Sequence, residues 1–179
     1  GLTVPPAALY ARGVARQEGS VRSEIKQTRP FPSRRQEALV CLLKTSDDLR
    51  WRISQVLKDA GFSQEQYNVL RILRGAGSEG LPTLEIADRM IERSPAITRL
   101  LDKLETKKLI RRKRCSKDRR IVYCYITEAG LAALIPLDQP TKQLTDELMG
   151  VLSAPDLEQL IDSLDRLRGA GPRPPAGPQ

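Results

Sequence analysis

The residues best suited to chemistry in this chain are cationic and crowded together. From Arg89 to Arg120 stand thirteen Lys or Arg residues against four acids, Glu92, Asp102, Glu105 and Asp118, a local +9 in a chain that totals +8. Everything outside this stretch is close to neutral, so the charge is a local device for meeting a polyanion rather than a solubility feature. Duplex DNA is the first partner it implies. Within the stretch, Ala96, Thr98, Arg99 and Lys103 share one side of a helical repeat with Ser94 at its tip, and Lys117, Asp118, Arg119 and Arg120 fill a short turn between two strand-like runs. Arginines at such a tip suit the narrow, electronegative minor groove.

These side chains need a scaffold, and the apolar pattern supplies one. Thr83 is expected to cap a short helix, close to the DNA, with Ile86, Ala87, Met90 and Ile91 as its apolar stripe. Ser94 is expected to cap the next helix, with Pro95 at its first position and Ile97, Leu100, Leu101 and Leu104 on its buried side. Two short helices joined by a tight turn form a helix-turn-helix, whose second helix offers its outer face to the major groove. Leu109–Cys115 and Ile121–Ile126 then read as strands of a hairpin wing, after which Thr127 caps another helix. Of the basic residues 111–114, alternation along a strand turns about half toward the DNA.

The flanking segments read differently. From Arg34 to Ala60, Leu39, Leu42, Leu43, Leu49, Ile53, Val56 and Leu57 recur at helical spacing, and Gly61 is placed to stop the helix. Ser63 and Gln66 form a capping box for a helix to about Arg74 that buries Tyr67, Leu70 and Leu73. Pro136 and Pro140 predict a kinked or two-part helix after Thr127, and Ser153 opens a last helix ending at Gly169. Residues 1–33, rich in Pro, Gly and Arg, read as a flexible arm with a short helix from Ala7 to Arg16, its Arg12, Arg16, Arg22, Lys26 and Arg29 open to DNA or to a partner subunit. Residues 169–179 read as a frayed tail.

Composition excludes several classes. The chain has no histidine and three widely spaced cysteines, which supports neither a disulfide framework nor a zinc site. The commonest general base is missing, and no phosphate loop, nucleophile elbow or metal-spaced carboxylates are found, so no catalytic residue, metal or cofactor is expected. No run approaches the roughly 18 apolar residues of a membrane span, and the first residues lack the form of a signal peptide. A cytoplasmic location is the expectation.

The run Ser94-Pro-Ala-Ile-Thr-Arg-Leu-Leu-Asp-Lys-Leu-Glu105, followed by Leu109-Ile-Arg-Arg, Asp118-Arg-Arg120 and Ile126-Thr-Glu-Ala-Gly130, resembles the MarR family of bacterial transcriptional regulators over roughly residues 34–168. The resemblance implies a mainly α fold with a small β-hairpin wing (α+β): a winged helix-turn-helix whose N- and C-terminal helices build a homodimer base. It divides the chain into a dimerisation helix (34–62), a DNA-binding domain (63–126) and C-terminal dimerisation helices (127–168). Independently, the leucine-rich flanking helices hold more apolar surface than the small basic module can cover. A two-fold dimer implies a pseudo-palindromic operator, with two recognition helices about 34 Å apart. The resemblance assigns Arg120 to the minor groove and gives Asp118 the role of orienting basic side chains. Where the family usually has glycine after the recognition helix, this chain has Lys108.

The resemblance also frames two readings each for Trp51 and Cys41. Trp51 is either a packing residue or part of an effector pocket for small aromatic or phenolic ligands. One branch of the family senses peroxide through a cysteine in the first long helix, but the residues after Cys41 include no tyrosine at helical reach, which favours a structural cysteine. A urate-responsive branch places an acid where this chain has Asn68. The function implied is a non-enzymatic, sequence-specific DNA-binding regulator, a repressor relieved by a ligand. Its rivals are a winged-helix module that binds an acidic protein, and a thiol redox sensor acting through Cys41.

Overall fold

The computed structural model describes residues 20–92 and 96–169. Within them the chain forms two compact units, one ending at Trp51 and the other beginning at Arg52. The expected helix from Ala7 to Arg16, and Ser94 and Pro95 as a helix start, lie outside the described residues.

The described part of the first unit begins with a short helix, α1 (Val21–Glu24), capped by Ser20, whose Oγ accepts from the Ser23 N–H. Arg22 folds back to donate to the carbonyls of Gln27 (3.1 Å) and Thr28 (2.5 Å). These bonds close the turn after α1. The long helix α2 (Arg34–Lys58) follows, with the Ser33 Oγ accepting from the Gln36 N–H at its start. Its end is a two-bond cap: Gly61, at φ +72°, donates to Lys58 O, and Phe62 donates to Leu57 O.

In the second unit α3 (Gln64–Ala76) starts at the expected capping box, Ser63 and Gln66 each bonding the other's backbone N–H. A 3-10 turn (Gly77–Glu79) leads into a two-residue strand, β1 (Leu81–Pro82), which the sequence did not suggest. Next come α4 (Thr83–Arg89), α5 (Ile97–Thr106), β2 (Ile110–Arg114), β3 (Val122–Ile126), α6 (Glu128–Met149) and α7 (Ala154–Leu167). The sheet is antiparallel in the order β1-β3-β2, with Leu81 opposite Cys124 and Ile110 opposite Ile126. β1 is an edge strand, where a proline does little harm.

One apolar core joins these elements: Val69, Leu70 and Leu73 of α3, Leu81, Ile86 of α4, Leu100, Leu101 and Leu104 of α5, Ile110, Cys124 and Leu134 of α6. Tyr67 and Ile97 pack against it half-buried. Two glycines let backbone approach backbone. A Cβ on Gly130 would sit 2.2 Å from Leu109 O, and one on Gly80, already at φ +62°, would sit 2.6 Å from Cys124 O. The first contact seats α6 against the start of the hairpin, where Thr127 accepts from the Gly130 N–H and its hydroxyl donates to Lys108 O at 2.8 Å.

Three local expectations need correction. Thr83 is not the cap of α4: Pro82 holds that position, and the Thr83 hydroxyl reaches across to Val122 O at 3.3 Å, because pairing of β1 with β3 turns it toward the sheet. The α4 helix stops at Arg89, so Met90 is extended and Ile91 is 87% exposed rather than part of the stripe. The bond from the Ile91 N–H to Asn68 Oδ1 at 2.9 Å fixes that departure from the helix. Third, of the kinked or two-part helix expected here, the two-part form is excluded: α6 is one helix with Pro136 and Pro140 inside it. An interior proline costs about 3 kcal/mol, but packing offsets it here. Leu134 and Leu137 are buried, and α3 is tied across by Tyr67 to Thr141 (3.4 Å) and Arg74 to Asp138 (2.9 Å).

Candidate nucleic-acid interface

The candidate interface comprises α5 and the turn of the hairpin. In α5 the leucines at 100, 101 and 104 point into the core, which forces Thr98, Arg99 and Lys103 outward, all exposed, with Ala96 exposed at the cap position and no side-chain cap bond there. These four predicted residues therefore share the solvent side of one helix. Ser94 lies outside the described residues.

The hairpin turn places Lys117, Arg119 and Arg120 in solvent and Asp118 half-buried beside them. Asp118 Oδ1 accepts from the backbone N–H of Arg120 (3.0 Å) and from its Nε (3.2 Å), while Nη2 lies 3.3 Å from Oδ2. The Arg120 guanidinium, first, and its N–H, second, hold the Asp118 carboxyl below the ordinary carboxylate range. Arg120 remains 92% exposed, so the pairing sets its direction while leaving its outer face to solvent.

The four basic residues at the start of the hairpin have separate fates. Arg111 lies over the Tyr125 ring with Cζ 4.2 Å from the centroid. Arg112 turns back onto α5: its backbone N–H donates to Glu105 Oε1 (3.0 Å), Nε to Glu105 Oε2 (2.8 Å) and Nη2 to Asp102 Oδ1 (2.6 Å). Its pKa is raised, first by the Glu105 hydrogen bond, against the opposing effect of burial. Lys113 and Arg114 are exposed. Sequence reading missed the Arg112 network. Its only advance signal was two acids on an otherwise cationic helix, at the i, i+3 spacing that brings them to one face.

The helix α5 ends on Lys108 at φ +60°, with its N–H on Glu105 O and the Leu109 N–H on Leu104 O, the cap geometry that favours glycine. Lys107 donates to Gly61 O at 3.3 Å and lies over the Phe62 ring, fixing the far end of α5 to the loop before α3.

Thr83, expected near the DNA as a cap, is instead tied to β3. Trp51 is 61% exposed and Cys41 half-buried, both on α2. Cys41, Cys115 and Cys124 are free thiols. Burial in the core pushes the Cys124 thiol up, whereas the backbone N–H groups of Asp118 and Lys117 pull Cys115 down. Among the described residues no group of three His, Cys, Asp or Glu side chains is placed to hold a metal, and no helix is long and apolar enough to cross a membrane.

Helices α3 to α5 with the β2–β3 ribbon define a winged helix-turn-helix protein. Residues 62–122 match the family model described as MarR family. The HTH-type transcriptional regulator MhqR of Bacillus subtilis (strain 168) is 33% identical over 107 residues, 60% of this chain and 72% of that protein. A MarR transcription factor from Planctomyces limnophilus is 37% identical with a TM-score of 0.59, covering 76% of this chain and 99% of its own. The S. aureus MepR–DNA complex shares the fold at 24% identity and a TM-score of 0.67, covering 72% and 94% of the respective chains. The chain belongs to the MarR family of transcriptional regulators.

Proposed function

We propose that the protein grips a pseudo-palindromic operator in double-stranded DNA as a homodimer, and that it represses transcription until a small aromatic or phenolic ligand releases it. The observation that carries this reading is the joint exposure of Ala96, Thr98, Arg99 and Lys103 on α5 with Lys117, Arg119 and Arg120 on the wing, in the stretch that holds the chain's net positive charge. One helix face and one ribbon tip are the two elements a winged helix sets against adjacent grooves. One of the matched structures of this fold is a DNA complex. Apolar side chains left in water on α2 (Leu39, Leu42, Leu43) and on α7 (Leu160, Leu167) support a second copy as their cover. Ligand release would work by favouring a state whose paired helices no longer match the operator spacing.

The test is a mobility-shift titration with the DNA upstream of the protein's own gene at two salt concentrations. Binding should weaken steeply with salt, since several Lys and Arg per subunit displace counterions. Arg120→Ala should lower affinity for operator and random duplex alike, leaving major-groove base preference in place. Normal binding by that variant would remove the wing from the interface, and no retardation at low salt would remove DNA as the partner.

A further inference from the structure

We infer that Arg99 is the side chain that reads a guanine in each half-site, and that Arg112 acts as a positioning residue by withholding Asp102 from it. The inference rests on the DNA-binding reading above and adds to it a base and a mechanism of availability.

Five cations of this region are already engaged. Arg89 pairs with Glu85, Arg111 lies on Tyr125, Arg112 on Glu105 and Asp102, Lys107 on Gly61 O and Phe62, and Arg120 on Asp118. Among the described residues no hydrogen bond or ion pair engages Arg99, which is exposed near the start of the outward face of α5. A free guanidinium there has the planar fork that matches O6 and N7 of guanine in the major groove, the commonest specific contact to a base edge. Lys103, one turn later, is a point charge better suited to phosphate.

Why Arg99 is free is the less obvious part. Asp102 follows it at i+3, the spacing at which an acid and an arginine ordinarily pair on a helix surface. Here Asp102 Oδ1 is instead taken by Arg112 Nη2 at 2.6 Å, and the same nitrogen lies 2.6 Å from Glu105 Oε2. The strand thus supplies one cation that occupies both acids of the recognition helix. Without it, Asp102 would be left with Arg99 as the one cation of its helix at i±3 or i±4, and the fork would be turned inward before any base could compete for it.

The experiment is selection of bound duplexes from a randomised pool by the full-length protein and its variants, with sequencing of what is retained. The native protein should enrich a symmetric motif with a guanine in each half. Arg99→Ala should lower the preference for that guanine by roughly tenfold or more while the other positions persist. Arg112→Gln should weaken the same preference, and adding Asp102→Asn to it should restore the preference, which a purely structural role for Arg112 would not allow. Asp102→Asn alone, a variant that keeps the Arg112–Glu105 contact, should raise affinity for all sequences and keep the guanine. An unchanged motif in Arg99→Ala overturns the assignment of the reader. Loss of the guanine in Asp102→Asn alone, or no rescue in a folded double variant, overturns the role given to Arg112. Absence of any enriched motif with the native protein would instead sink sequence-specific DNA binding itself.

Discussion

The winged module and the long helices solve opposite problems with the same residue type. In the module, leucines from α3, α5 and α6 disappear completely: Leu70, Leu73, Leu101, Leu104 and Leu134 are all 0% exposed. On α2, Leu39, Leu42 and Leu43 are 56%, 40% and 61% exposed, and α7 buries none of its residues. The difference teaches that amphipathic spacing specifies a face without specifying what covers it. Within the module the sheet and three helices close on one another, whereas α2 and α7 present apolar stripes that the described residues leave uncovered.

The sharpest way to break this comparison is to charge the open stripe. Leu39→Glu with Leu43→Glu should leave the circular dichroism of the winged module in place, yet move the sedimentation mass to that of one chain. Affinity for a palindromic operator should then fall by about 10²- to 10⁴-fold, the scale of lost bivalency. A dimer of unchanged strength in this variant would mean that the exposed leucines of α2 are not its interface.

The next effect tests the closed side. Leu101→Ala removes a fully buried side chain from the core and should cost about 2–5 kcal/mol in urea unfolding. Leu167→Ala, at a position 73% exposed, should change the unfolding of a dilute, dissociated sample by less than about 0.5 kcal/mol. Equal costs at the two sites would erase the distinction between a closed core and an open face.

How far the sequence discloses this arrangement depends on the range of each interaction. Ser63, Thr127 and Ser153 were readable as caps because each bonds an N–H three residues on, inside one reading window. Thr83 has the same residue type and failed, since its hydroxyl is claimed by Val122, far along the chain. β1 was invisible for the same reason: two residues, one of them proline, become a strand only through pairing with Tyr123 and Cys124. Pro136 and Pro140 were read by their local cost, and the packing of Leu134 and Leu137 that outweighs it has no local trace. In the candidate interface, the exposed set on α5 and the Asp118–Arg120 pair followed from periodicity and motif, but the capture of Asp102 and Glu105 by Arg112 needed the register of a strand against a helix.

The smallest effect lies where the two regions of argument, backbone strain and charge, meet in one residue. Lys108 stands at φ +60°, a conformation that costs a side-chain-bearing residue about 1–2 kcal/mol. Lys108→Gly relieves this, but it also enlarges the conformational freedom of the unfolded chain, which takes back about 0.4–1 kcal/mol. The balance should be a stabilisation of no more than about 1.5 kcal/mol, a rise in Tm of about 3–6 °C at most for a chain of this size. In the same variant the slope of log affinity against log salt should fall by about one per subunit if Lys108 meets a phosphate. A lower Tm would show that the strain is absorbed elsewhere, and an unchanged slope would take Lys108 off the DNA. The two readouts separate because strain is relieved in the protein alone, whereas the lost charge matters only against a polyanion.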